Sequence, residues 1–91
     1  MYSMDEHARR VVQRVLEAEA AVYEGRGSIV DLQATTSGAA GALDNSNADL
    51  RAALECLDSA LEMIRFTVDD ALQAAAIRQA VEPVRDIAGA I

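Results

Sequence analysis

This sequence has no lysine and no tryptophan, and among its 91 residues it holds one cysteine, one proline, one histidine and three aromatics. Each shortage narrows the possibilities. A lone thiol, Cys56, cannot close an internal disulfide, so a stapled secreted scaffold is excluded and a cytoplasmic setting is expected. With only Tyr2, Tyr23 and Phe66 as aromatics, the core must be assembled from Ala, Val, Leu and Ile. No apolar run approaches the roughly 20 residues that a membrane span needs. The opening Met1-Tyr2-Ser3-Met4-Asp5-Glu6 has no positive stretch followed by an apolar one, so no secretory signal is read there.

Positive charge is scarce too. Eight arginines stand against fifteen acidic residues, a net charge of −7. Proteins that bind nucleic acid neutralise phosphates with clustered cations. The one basic grouping, Arg9, Arg10 and Arg14, is too small for that, and its expected role is to neutralise acidic residues of the long helix described below. No nucleic-acid binding and no attachment to anionic membranes are expected. A basic protein partner is favoured instead, because opposite charge accelerates encounter.

Motifs for chemistry are equally thin. Gly25-Arg26-Gly27 lacks the third glycine of a dinucleotide fingerprint and follows a helix, not a strand. Bundle metal sites draw paired Glu and Glu-x-x-His from several helices, and His7 is the only imidazole. It is read as a solvated surface residue, the sharper reading being a metal ligand shared across a dimer. Paired carboxylates for acid–base work need a closed apolar pocket, for which a slim bundle has little room. No catalytic residue, metal or cofactor is expected, and the chain is not read as an enzyme.

What the chain does have is periodicity. Leu50, Leu54, Leu57, Leu61, Ile64, Val68, Ala71 and Ala75 alternate steps of four and three, the heptad spacing of a helix packed against other helices. Burying each Leu or Ile is worth roughly 1.5–3 kcal/mol, so this stripe supplies a large share of the drive to fold. Met4, Ala8, Val11, Val15, Ala18 and Val22 repeat the spacing in a first helix, with Val12, Leu16 and Tyr23 widening the stripe. Ser3 and Glu6 form its capping signature, and Gly25 and Gly27 end it after about Glu24. Ser28 and Asp31 cap a second helix whose inner face is Ile29, Leu32, Thr36, Ala39 and Leu43. Its middle, residues 34–42, holds two glycines and three hydroxyl residues, all weaker helix formers than Ala. Either these small side chains line a face where another helix approaches closely, or the segment orders only on binding.

Asp44-Asn45-Ser46-Asn47 breaks the second helix, and Ser46 with Asp49 offers a cap for a long helix from Asn47 to Ala76. Thr67 and Asp70 allow a second capping point inside it. In an uninterrupted helix Phe66 shares the outer face with Ser59, Glu62, Asp69 and Gln73. Either the helix bends near Thr67 and turns Phe66 inward, or Phe66 touches a second chain. Past Ala75 the register slips, with Ile77, Val81, Val84, Ala88 and Ile91 resuming the pattern. Pro83 bends or restarts the helix there, which predicts a short last helix from Pro83 to Ala90. Cys56, in line with Ala60 and Met63, is read as packing beside the main seam; a redox-sensitive thiol or an intersubunit disulfide is the alternative.

The fold expected is all-α: one helical domain over residues 1–91, a small antiparallel bundle of three main helices plus a short C-terminal helix, with heptad-type packing. A chain of this size buries only a moderate core, so a homodimer is expected to complete it. Glu55, Asp58, Glu62 and Asp69 fall near one exposed side, with Arg51 and Arg65 at intrahelical pairing distance. The plain reading is a solvated face. The functional one is a negative strip that docks a basic protein, with Phe66 as anchor. The function expected is therefore a small acidic intracellular protein-interaction module, most concretely a regulator or inhibitor of the immunity-protein or antitoxin kind, a role that size and charge alone suggest. The alternative is a structural helical dimer or assembly subunit with no ligand.

Overall fold

The computed structural model describes residues 6–89 and places them in α1 (Glu6–Tyr23), α2 (Ile29–Ala42), α3 (Ala48–Thr67) and α4 (Asp70–Gly89). No strand occurs among the described residues. Each helix packs on the next in the chain, and α1 closes on α4 over the smallest of the four seams. Neighbours run antiparallel. The His7 ring near the start of α1 lies 3.0 Å from the Ala42 carbonyl at the end of α2, and Gln33 early in α2 reaches Asp58 and Arg65 in the later half of α3. The all-α bundle is therefore as the spacing predicts, drawn out to 41 × 21 × 20 Å.

Local chemistry sets the first boundaries. Gly25 adopts φ +76, a region that costs an L side chain strain. That conformation lets Gly25 N–H reach Val22 O at 3.2 Å and Arg26 N–H reach Ala21 O at 2.8 Å, satisfying carbonyls at the end of α1. At Gly27 the space is tight, since a Cβ there would lie 3.3 Å from Ala21 Cβ. At the start of α2 the Ser28 hydroxyl accepts from Asp31 N–H at 3.2 Å while the Asp31 carboxylate accepts from Ser28 N–H at 3.0 Å, the reciprocal cap read from the sequence. The Ser46–Asp49 cap expected for the long helix does not form, since the N-cap of α3 is Asn47 and its side chain makes no capping hydrogen bond. Upstream, Asp44 accepts from Ser46 N–H at 3.0 Å and opens a 3-10 turn over Asn45–Asn47. The hydroxyl and amide of Ser46 hold the Asp44 carboxyl below the usual carboxylate range.

The core gathers the predicted stripes as far as Ile64. Ala8, Val11 and Val15 of α1, Leu32, Thr36 and Ala39 of α2, and Leu50, Leu54, Leu57, Leu61 and Ile64 of α3 are all buried. Thr36 satisfies its buried hydroxyl by donating to Leu32 O at 2.8 Å. The seam then stops, and Ala71 and Ala75 are exposed. The long helix from Asn47 to Ala76 is in fact two helices. Thr67 does not cap the second of them; its hydroxyl bonds back to Met63 O at 2.6 Å. Val68 is extended, with φ −107 and ψ 132, and the chain reverses. A reversal resets the helical phase, so α4 buries a new set, Ile77, Val81 and Val84.

Pro83 does not restart a helix. It lies inside α4, and the short helix expected from Pro83 is the last part of this 20-residue element. Proline removes the bond to the carbonyl four residues back, here that of Gln79; both residues are exposed, so water can serve that oxygen. The expectations placed on Ser3, Met4, Ala90 and Ile91 lie outside the described residues.

Candidate functional site

Turning away from the core, α3 carries a second apolar seam. Ala52, Cys56, Ser59, Met63 and Phe66 step by four, three, four and three, and all of them are exposed. The buried seam and this one lie on opposite sides of the same helix. Met63 is 66% exposed, Phe66 68%, and Leu72, in the first turn of α4, 61%. Single exposed apolar residues are ordinary on a protein surface. Met63 and Phe66, three residues apart on one face of α3, form an exposed apolar pair of the kind found at contact sites. Cys56 thus does not pack beside the core seam; it faces outward on this stripe, because α2 and α4 cover the other sides of α3.

Phe66 stays outside although the helix does end next to it, so the break does not turn the ring inward. The ring nevertheless has a partner. The Arg65 guanidinium lies 4.6 Å from the Phe66 ring centroid, within cation–π range. Arg65 in turn donates to Gln33 Oε1 at 2.9 Å, and Gln33 donates to Asp58 Oδ1 at 3.2 Å. A chain of contacts thereby runs from α2 to the exposed aromatic ring.

The acidic residues of the predicted strip separate into two groups. Glu55 and Glu62, seven residues apart, are exposed on the face that carries Phe66. Glu55 is bridged by Arg51 at 3.1 Å, whereas Glu62 has no ion pair among the described residues. Asp58 turns toward α2 and its Gln33. Asp69 lies beyond the end of α3, in the connection to α4, where its carbonyl accepts from Leu72 N–H at 2.8 Å. The basic trio of α1 is not spent on the long helix as expected: Arg10 pairs with Glu6 of its own helix at 3.2 Å.

A second cluster was not foreseen. Glu19 of α1 is 2% exposed and accepts from both the Arg85 guanidinium of α4 and the Tyr23 hydroxyl. Arg78, two turns before Arg85, stacks 4.7 Å from the Tyr23 ring centroid. Burial, reinforced by the hydrogen bond to Glu19 and that carboxylate's charge, pushes the Tyr23 phenol up to about 12. The signal was present in the sequence, since Glu19 continues the stripe Ala8, Val12, Val15 at steps of four, three and four. A charge in a core register requires a counter-charge. The cluster closes the α1–α4 seam and leaves no free polar atom, as none of the described buried side-chain nitrogens or oxygens lacks a partner.

The glycines of α2 do not mediate a close helix approach within the chain. A Cβ at Gly38 or Gly41 would meet nothing within 4 Å. Among the described residues, no group of three or more His, Cys, Asp or Glu is arranged to hold a metal, and no helix is long and apolar enough to cross a membrane. The chain matches no known family, no characterised protein and no solved structure.

Proposed function

We propose that this chain is a protein-interaction module that binds a basic protein partner through the outer surface of α3. The observation that carries the reading is the exposed apolar pair of Met63 and Phe66 on one face of α3, beside the unpaired Glu62. Apolar contact area supplies binding energy and aromatic residues concentrate at hot spots. The acidic border and the net charge of −7 select a positive partner and speed its approach. The most concrete form of the reading is an acidic regulator or inhibitor, of the kind that immunity proteins and antitoxins represent. It sits naturally in the cytoplasm, where the exposed Cys56 stays reduced.

Copurification from native extract, run in parallel on the wild-type chain, Phe66→Ser and Glu62→Arg, tests this. The reading requires a basic protein that is retained by the wild type and lost by both variants. Retention by all three chains, or no basic partner at all, defeats it. The alternative reading, a structural homodimer, rests on the same exposed stripe; it requires a dimer in sedimentation equilibrium that Phe66→Ser dissociates.

A further inference from the structure

A groove of about 270 Å³ lies between α1 and α2, lined by Val11, Arg14, Thr35, Gly38, Ala39 and Ala42. Val11 and Ala39 are buried against the core and give it an apolar floor. Over Gly38 the space is empty, since a Cβ there would meet nothing within 4 Å. Two polar groups of the lining are unused. The Thr35 hydroxyl makes no hydrogen bond among the described residues, whereas those of Thr36 and Thr67 bond back to their own helices at 2.8 and 2.6 Å. The Arg14 guanidinium likewise makes no ion pair or hydrogen bond among the described residues. Glu17, one turn further along α1, accepts from Gln13 at 3.1 Å instead. The antiparallel register set by His7 against Ala42 places Arg14 opposite Thr35 and Val11 opposite Gly38. The groove is thus polar at one end and apolar along the rest.

Charge selects what enters. The chain carries −7 overall, yet no acidic residue lines this groove, and α2 holds no charge beyond Asp31 in its first turn. The carbonyl end of α2, which repels anions, lies two turns beyond Thr35, and its Ala42 oxygen is engaged by the His7 ring at 3.0 Å. One planar guanidinium beside one hydroxyl matches a single carboxylate. Phosphate sites gather several cations or a helix N-terminus, and neither lines this groove. At about 30 Å³ for each water-sized atom, the space holds about nine non-hydrogen atoms. We infer that the α1–α2 groove binds a small organic monocarboxylate. Arg14 and Thr35 hold its carboxylate, and its apolar body, of about six atoms, lies over Gly38 toward Ala42.

Benzoate, which is of about that size, is titrated into the isotopically labelled whole chain while the backbone amide resonances are followed. Saturable shifts are expected at Arg14, Thr35, Gly38, Ala39 and Ala42. Benzamide has the same shape without the charge, and acetate has the charge without the body; each is expected to bind about tenfold or more weakly than benzoate. Arg14→Gln, at an exposed position whose loss leaves the fold intact, loses benzoate by a similar factor. Gly38→Leu, which fills the space and favours the helix, loses it too, with resonances far from α2 unchanged. Phe66→Ser binds benzoate as the wild type does, which separates this site from the outer face of α3. The inference is overturned by the absence of saturable shifts, by equal binding of benzamide, by inorganic phosphate binding more tightly than benzoate, or by shifts centred on Arg9 and Arg10. Full binding by Arg14→Gln or Gly38→Leu, or loss of binding in Phe66→Ser, overturns it as well.

Discussion

The Arg85 guanidinium of α4 donates to the carboxylate of Glu19 on α1, tying together residues 66 positions apart across the least extensive seam of the bundle. The pair is unequal, since the Arg85 side chain is 35% exposed and that of Glu19 only 3%. Losing Arg85 strands a buried charge, whereas losing Glu19 leaves an arginine that can turn to water. Arg85→Ala is therefore expected to cost about 2 kcal/mol, below the figure for a fully buried pair because water screens the arginine. Glu19→Gln, which keeps the shape, is expected to cost less. Denaturant midpoints of the two variants check the order, and a larger loss for Glu19→Gln would refute it.

Tyr23 makes the same cluster sensitive to alkali. Its phenol is raised to about 12 in the fold, against about 10 in an unfolded chain. The native state thus holds the proton more tightly. The stabilisation is fully present below pH 10 and disappears as pH rises through about 12. Unfolding midpoints are expected to fall over that window in the wild type, and to fall less in Tyr23→Phe. Absorbance at the phenolate band is expected to show one tyrosine ionising late, and its disappearance in Tyr23→Phe assigns it.

Gly38 and Gly41 invite replacement. A methyl group at either meets open space, and Gly costs about 0.8–1.0 kcal/mol against Ala inside a helix. Gly38→Ala and Gly41→Ala are expected to stabilise the chain, with the double variant gaining roughly twice the single. A thermal melt shows it; a fall in melting temperature would mean that α2 is held more closely from outside than these open surroundings indicate.

The two seams of α3 are expected to respond in opposite ways. Leu61→Ala empties a fully buried site and should cost about 2–5 kcal/mol. Phe66→Ser and Met63→Ser alter exposed side chains and should change stability by less than about 0.5 kcal/mol, while reducing partner binding. A large melting shift for Phe66→Ser would make it a structural residue and remove the anchor from the proposed face.

Much of the bundle was legible because its determinants are local. The four-and-three spacing of Val11 and Val15, of Leu32 and Thr36, and of Leu50 through Ile64 names buried faces without reference to anything distant. The Ser28–Asp31 cap and the Gly25 turn each involve a few neighbouring residues. The same reasoning carried the seam too far, through Ala71 and Ala75, because periodicity alone does not register that Val68 goes extended. It overrated Pro83 too, whose effect depends on facing water. Of the candidate site, Phe66, Glu55 and Glu62 share the exposed face expected of them, while Asp58 and Asp69 are drawn aside by Gln33 and by the helix end.

The amino-acid order by itself determined that this chain forms helices, where the first ends and the second begins, and which sides of them avoid water, since those properties are settled by hydrogen bonds and side-chain spacing within a turn or two. Only the packed structure decided that Glu19 would meet Arg85, that Gln33 would bridge Asp58 and Arg65, and that Cys56, Met63 and Phe66 would be left facing outward. Those outcomes depend on which helix comes to lie beside which, and contacts between residues far apart in sequence exist only once the helices have assembled.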